Sequence, residues 1–305
     1  MTARKPFVIN KGDFLLLAVA AVWGGSYLVV KELGHHSSVQ SLLALRFIFG
    51  GLFLWLFWLR ERTRIQRREI FMSIGFGLGQ VTVLSLETSG VQLTSATNAG
   101  LIISLAIIFT PILESVWRKN WLPAPFFIAT VIVVVGLALL ITGNGLVAPN
   151  LGDLLVLIAA ILRTTYVVIA GHLTQDKPIS ALNITALQLT VAAIVMFALN
   201  PVTTINTAIN YTASDWGLML FLSLLCTAFG FVGMAWGIKN TSASRTSLLL
   251  GTEPVWATIV AVAIGGELMG PLGIVGALLI IGGTFWGQAV ETRHRLGPSS
   301  GESAA

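Results

Sequence analysis

Residues 241–267, TSASRTSLLLGTEPVWATIVAVAIGGE, are apolar enough and long enough to cross a bilayer, yet they carry Arg245 near the start and Glu253-Pro254 at the centre. Residues 94–120, TSATNAGLIISLAIIFTPILESVWRKN, open on the same TSA 147 positions earlier. Two long apolar segments in register across half a chain point to a duplicated membrane unit.

The whole composition agrees. The chain has 305 residues, 55% hydrophobic and only 10% charged, with a mean hydropathy of +0.86. Soluble domains carry about a quarter charged residues, so this chain would expose far too much hydrocarbon in water. Reading for runs of about 20 apolar residues gives ten expected spans, at 13–30, 39–59, 69–88, 94–117, 123–142, 152–173, 179–199, 214–238, 243–264 and 271–290. Period-two alternation is absent, which excludes a closed barrel and leaves an all-α membrane protein.

The formal charge of +5 does not imply nucleic acid, because the basic residues sit in short loops between apolar runs. Arg4, Lys5, Lys11, Arg60, Arg62, Arg64, Arg67, Arg68, Arg118, Lys119, Lys177, Lys239, Arg293 and Arg295 all fall on one side of a ten-span thread, against Lys31 on the other. This asymmetry predicts cytoplasmic termini. The first run lacks a small-residue cleavage pattern and is expected to remain as a helix. The tails are expected at 1–11 and 291–305. The single cysteine, Cys226, excludes an intrachain disulfide and a cysteine metal cluster.

The duplication extends beyond TSA. Gly90–Ala96 lies over Gly237–Ala243, Gly136 over Gly283, Gly12-Asp13 over Gly152-Asp153, and Ala44-Leu45-Arg46 over Ala186-Leu187-Gln188. Units of five spans, 12–142 and 150–290, put the second copy into the membrane upside down. Loop 60–68 carries five arginines and its counterpart 200–213 none. Two five-helix inverted-topology repeats are an architecture that places a transport site between halves near the midplane.

WGGSYLVVK in the first span, ALRF in the second, TSA opening the fourth and ninth, and the central EP of the ninth resemble the drug/metabolite transporter superfamily, in its ten-helix EamA branch. The resemblance covers residues 12–290. Within the branch the chain is most similar to YddG-type exporters of aromatic amino acids. That implies alternating-access export of small neutral, aromatic amino acids across a bacterial inner membrane. One departure stands out: many members carry a Glu after the fourth helix, where this chain has Asn120, which weakens a symmetric role for Glu267.

Ionisable side chains inside a span are costly and therefore functional candidates. Arg46 and Arg163 lie roughly 10–15 Å from the nearer helix end at 1.5 Å per residue, and Glu253 lies near the middle of the ninth span. Two main roles compete for Glu253: structural partner of an arginine, or a group that titrates during transport, with substrate contact a third. Glu114 and Arg118 are spaced to pair at the cytoplasmic surface. Arg245 joins Arg46 and Glu253 as an intramembrane charge that couples or braces. Pro254 and Pro111 are candidate hinges. The expected substrate-binding residues are Trp23 and Tyr27 on the first span; Gln80 and Leu84 on the third, beside Glu87; Asn98 and Ile102 on the fourth; Arg163 and Tyr166 on the sixth; Phe231 on the eighth; and Trp256 on the ninth. Polar groups beside aromatic rings suit an aromatic zwitterion, although tryptophan and phenylalanine are also ordinary packing in membrane helices. Gly75-x-x-x-Gly79, Gly233-x-x-x-Gly237 and Gly283-x-x-x-Gly287 are expected at close helix crossings.

No nucleotide loop is present, no cofactor or metal is expected, and the four histidines form no catalytic pattern. An enzyme and a scaffold are both disfavoured. A cation or drug exporter is the alternative, which the two deep arginines count against. The expected partners are an amino-acid substrate and the bilayer, and the sequence does not separate a homodimer from a monomer.

Overall fold

The computed structural model describes residues 11–94, 102–103, 105–141, 150–263 and 270–296, and every regular element among them is helical. In chain order these are α1 (Lys11–Gly34), α2 (Val39–Glu61), α3 (Arg67–Leu93), α4 (Ala106–Arg118), α5 (Ala124–Ile141), α6 (Leu151–Thr174), α7 (Ala181–Leu199) and α8 (Pro201–Asn210). There follow α9 (Ala213–Leu220), a π-helical segment (Phe221–Phe229), α10 (Gly230–Asn240), α11 (Ala243–Leu250), α12 (Glu253–Ala263) and α13 (Pro271–Leu296). The chain is an all-helical, multi-pass membrane protein. Leu52, Leu56, Phe71, Ile158, Ile194 and Leu278 all point outward, as a surface solvated by lipid allows and one solvated by water does not.

Six of the described helices are long and apolar enough to cross a membrane: 39–61, 67–93, 151–174, 181–199, 213–240 and 271–294. The expected fourth and ninth spans differ from plain crossings. The ninth stops at Leu250, turns through Gly251-Thr252, and restarts at Glu253. Pro254 therefore sits in a first turn, where its missing N–H leaves no bond unmade, and the expected mid-helix kink is a break instead. The fourth shows a related interruption: Ile102 and Ile103 are helical, Leu105 is a turn residue, and α4 begins at Ala106. Leu105 stands 147 positions before Thr252, so the breaks correspond. Pro111 lies inside α4.

Loop chemistry sets the helix starts. Ser38, Asn150, Ser180, Thr212 and Ser242 each accept a backbone N–H of the helix they precede, satisfying donors a helix cannot bond itself. Loop 200–213, expected as a plain connection, contains α8, opened by the Asn200 cap and Pro201. Its threonines Thr204 and Thr207 face inward while Val202, Ile205 and Ile209 face out.

Packing is exchanged between the two sequence halves. α5 packs on α13 and α2 on α7; α3 packs on α6 and α7, as the 213–240 rod packs on α1 and α2; α4 packs on α6, as α11 and α12 pack on α1. The repeat glycines explain how closely. A Cβ at Gly90 would stand 2.7 Å from Val156 Cγ2, and one at Gly237 would stand 2.7 Å from Leu16 Cδ2. Leu16 lies 140 positions before Val156, so the same crossing is built twice. Gly233 and Gly283 also meet a facing helix closely, whereas among the described residues Gly75 faces nothing within 4 Å and Gly79 meets only Tyr166 at 3.4 Å. The first glycine pair is therefore not a close crossing.

One end of the bundle is basic and tightly tied. Arg245 bonds Asp13 twice through Nη2, at 2.7 and 2.8 Å, and once through Nε at 3.0 Å, and donates to Thr292 Oγ1 at 2.7 Å. Glu114 pairs with Arg118 at 3.0 Å and accepts Ser244 N–H and Oγ–H at 2.7 and 2.5 Å, while Ser242 donates to Glu291. Asp13, Glu114 and Glu291 thus bring α1, α4 and α13 onto the first turn of α11. Glu114 is buried rather than a solvated surface partner. Arg118 reaches Gln175, whose Nε2 donates to the carbonyls of Ile238 and Thr241 at 3.1 and 2.9 Å. α1 and α11 therefore begin at the end where α4, α6 and α10 finish.

Candidate functional site

The two interrupted helices cross at their breaks. Ile107, in the first turn of α4, fills the space beside Gly251, and Ser247 donates to the Ala106 carbonyl at 3.4 Å. A break at membrane depth frees backbone groups that must find protein or water, so it survives only where it faces protein or a wet path.

Beside this crossing lies a group of charges, of which Arg46 is buried and the others half-buried. Arg163 of α6 pairs with Glu87 of α3, and the two side chains keep 26% and 14% exposure. Arg46 of α2 is buried, and its Nε donates to Thr227 Oγ1 at 2.5 Å. Glu87, Arg163 and Glu253 all lie near enough to act electrostatically on Arg46. The sequence sets Glu87 on one face of the third span with Gln80 and Leu84, one residue before that span's expected end. α3 runs to Leu93, five residues past the expected end at 88, which draws Glu87 inward from the terminus.

The π-helical segment shapes one wall. Its wider turn lets the Thr227 hydroxyl donate to the Leu222 carbonyl, five residues back, at 2.9 Å. The hydroxyl oxygen is thereby turned toward Arg46. The preceding carbonyl, Cys226 O, accepts the Trp23 indole N–H at 2.6 Å. Trp23 also meets Phe231 edge-on, ring centres 5.9 Å apart. π-turns concentrate at functional positions, and neither propensity nor periodicity in FLSLLCTAF signals one.

The corresponding wall of the other half is neutral. Tyr166 donates to Gln188 Oε1 at 2.9 Å and meets Phe76 edge-on at 5.4 Å; Gln188 Nε2 faces Gln80 Oε1 at 3.5 Å. Gln188 stands where Arg46 stands in the first half, and Gln80 where Thr227 stands in the second. The repeat alignment was the available signal for Gln188.

The structure thus gathers Trp23 and Phe231, Arg46 with Thr227, Arg163 with Glu87, and Tyr166 and Gln80 on either side of Gln188. Leu84 is buried in the main core, Ile102 packs beside Val156, and Trp256 is half-buried in the first turn of α12. Arg245 is not part of the group; Asp13 holds it at the basic end. Asn98, Glu267 and the Tyr27 side chain lie outside the described residues. A polar cavity of about 90 Å³ beside Glu114, Arg118, Ser244 and His294 is far smaller than the several hundred cubic ångströms a small-molecule site usually offers. Among the described residues no cluster of three metal-ligating side chains occurs.

The EamA-like transporter family matches this chain twice, over residues 10–142 and 150–286. An uncharacterized transporter of Archaeoglobus fulgidus is 26% identical over 275 residues, covering 88% of this chain and 83% of the relative. The uncharacterized transporter YoaV of Bacillus subtilis is 26% identical over 291 residues, covering 92% and 98%. A solved crystal structure at 16% identity superposes with a TM-score of 0.76 over 92% of this chain and 98% of its own, a likeness of fold.

Proposed function

Because the chain belongs to the EamA-like transporter family, and is a membrane transporter rather than an enzyme, we propose that it exports small neutral, aromatic amino acids by alternating access. The observation that carries this reading is the charge group Arg46, Glu87 and Arg163 set beside the Trp23–Phe231 and Phe76–Tyr166 ring pairs. A zwitterion offers a carboxylate and an ammonium for charges of both signs, and its ring needs an apolar wall with few polar groups.

The architecture proposed with it is ten spans in two inverted repeats, 12–142 and 150–290. The basic end would face the cytoplasm of a bacterial cell, with both termini there. The packing argues against two rigid five-helix halves rocking on each other, because most helix contacts join one half to the other. The better moving bodies are α1 with the 213–240 rod and α11–α12, against α3 with α4 and α6. At the basic end the path between them is closed by α10 against α6 and α7, and Lys239 caps the Ile179 carbonyl there. Opening to the cytoplasm would separate these contacts.

The test is uptake by proteoliposomes of labelled phenylalanine, tryptophan, lysine and a nucleotide sugar, with and without a pH gradient. Phenylalanine and tryptophan should enter and saturate, and mutually compete. The carboxylates Glu87 and Glu253 give the cation-exporter alternative its footing, and transport of lysine but neither aromatic amino acid would establish it instead.

A further inference from the structure

Arg46 is 7% exposed, and its only bonded partner among the described residues is the neutral hydroxyl of Thr227. The other arginines of the bundle interior and its closed end have carboxylates: Arg163 has Glu87, Arg245 has Asp13 and Arg118 has Glu114. A guanidinium presents five N–H donors and does not give up its proton. Glu87 and Glu253 act on Arg46 only at a distance, no carboxylate among the described residues comes within ion-pair distance, and holding a guanidinium nine-tenths out of water with no anion in contact is costly. Thr227 is no counter-ion, since its hydroxyl is neutral and keeps its proton, which it donates to the Leu222 carbonyl. The counterpart Gln188 is neutral and bonded to Tyr166, so among the described residues a buried guanidinium with no carboxylate in contact stands at this position of the repeat in the first half and not in the second.

We infer that Arg46 is the receptor for the carboxylate of the transported molecule, in a subsite completed by Thr227 and the edge of Trp23. Arg46 and Trp23 bond adjacent residues of the π-helical segment, Thr227 and Cys226, so the charge and the aromatic wall are set side by side on one turn. A carboxylate there takes the two Nη groups that Thr227 does not reach, while Thr227 fixes the plane of the guanidinium. Arg163, neutralised by Glu87, is then a neighbour rather than the anion receptor. This inference rests on the transporter reading and names which group of its substrate is bound.

The test uses the full chain in lipid nanodiscs, with labelled L-phenylalanine as probe and three competitors: 3-phenylpropionate, which keeps the carboxylate; phenethylamine, which lacks it; and chloride. The expected order is 3-phenylpropionate within about tenfold of phenylalanine, phenethylamine at least about 30-fold weaker, and no displacement by chloride at equal concentration. Arg46→Gln should weaken phenylalanine binding by about 30- to 100-fold, and Arg46→Lys should recover part of it, as loss of a charge-assisted bond requires. Phenethylamine competing as well as phenylalanine overturns the inference, as does chloride displacing the probe or Arg46→Gln binding normally. The competitor series needs only the unaltered protein, so a variant that fails to fold leaves the inference testable. If phenylalanine does not bind, 3-phenylpropionate and acetate are tested for raising the thermal midpoint. Stabilisation that Arg46→Gln abolishes supports the receptor and removes the aromatic amino-acid reading; no stabilisation by any carboxylate overturns the receptor.

Discussion

Arg245 and Asp13, 232 positions apart, form a bidentate ion pair whose carboxylate is almost wholly buried. It joins the first turn of α1 to the first turn of α11 across the two halves, and Thr292 of α13 shares the same guanidinium. Removing one partner of a buried pair strands the other charge. Asp13→Asn should therefore cost about 3–5 kcal/mol, read as a fall in the thermal unfolding midpoint of the purified protein. An unchanged midpoint would mean the pair is no structural tie.

Cys226, the only cysteine, is fully buried and donates to the Val22 carbonyl. A membrane-impermeant maleimide should leave the native protein unlabelled and label it once unfolded in denaturant. Mass spectrometry decides, and rapid labelling of the native protein would place Cys226 on a water-filled path instead.

Two glycines should respond oppositely to alanine. A Cβ at Gly136 would meet the Gly276 carbonyl oxygen at 2.7 Å and Ile280 N at 2.9 Å, backbone atoms of α13 that cannot swing aside. Gly136→Ala should cost about 1–3 kcal/mol. Gly75 faces nothing within 4 Å among the described residues, so Gly75→Ala should be neutral or gain up to about 1 kcal/mol from helix propensity. Thermal midpoints of the two variants, measured side by side, check the contrast.

Trp23→Phe keeps a ring against Phe231 but removes the donor to Cys226 O. Losing one intramolecular hydrogen bond costs about 0.5–1.5 kcal/mol. Amide exchange should quicken in the π-helical segment before it changes elsewhere. Exchange that rises uniformly over the chain would show that the bond does not hold this segment locally.

Glu253 begins α12 beside the break in the ninth span. If it carries a proton during the cycle, Glu253→Gln should lose stimulation by a pH gradient while retaining phenylalanine counterflow. Full gradient-driven uptake by the variant would remove that role.

Much of the architecture was legible because lipid imposes a one-dimensional rule. A long spanning segment must be apolar and bond its own backbone, so the six long spans and the duplicated glycines follow from order along the chain. Gly90 and Gly237 mark the same crossing in both halves for that reason. Other features depend on what faces a residue across the bundle. The sequence placed Arg46 and Arg163 inside the membrane alike; only the folded chain gives Arg163 a carboxylate and leaves Arg46 with a hydroxyl. Residues 241–267 stood out as an apolar run with charges in it, yet folding sent those charges to different places. Arg245 is drawn to the end of the bundle by Asp13, while Glu253 starts a second helix at depth. Composition fixes how much charge enters a membrane; which charges meet is set by helix packing, because an ion pair in low dielectric is decided over a few ångströms.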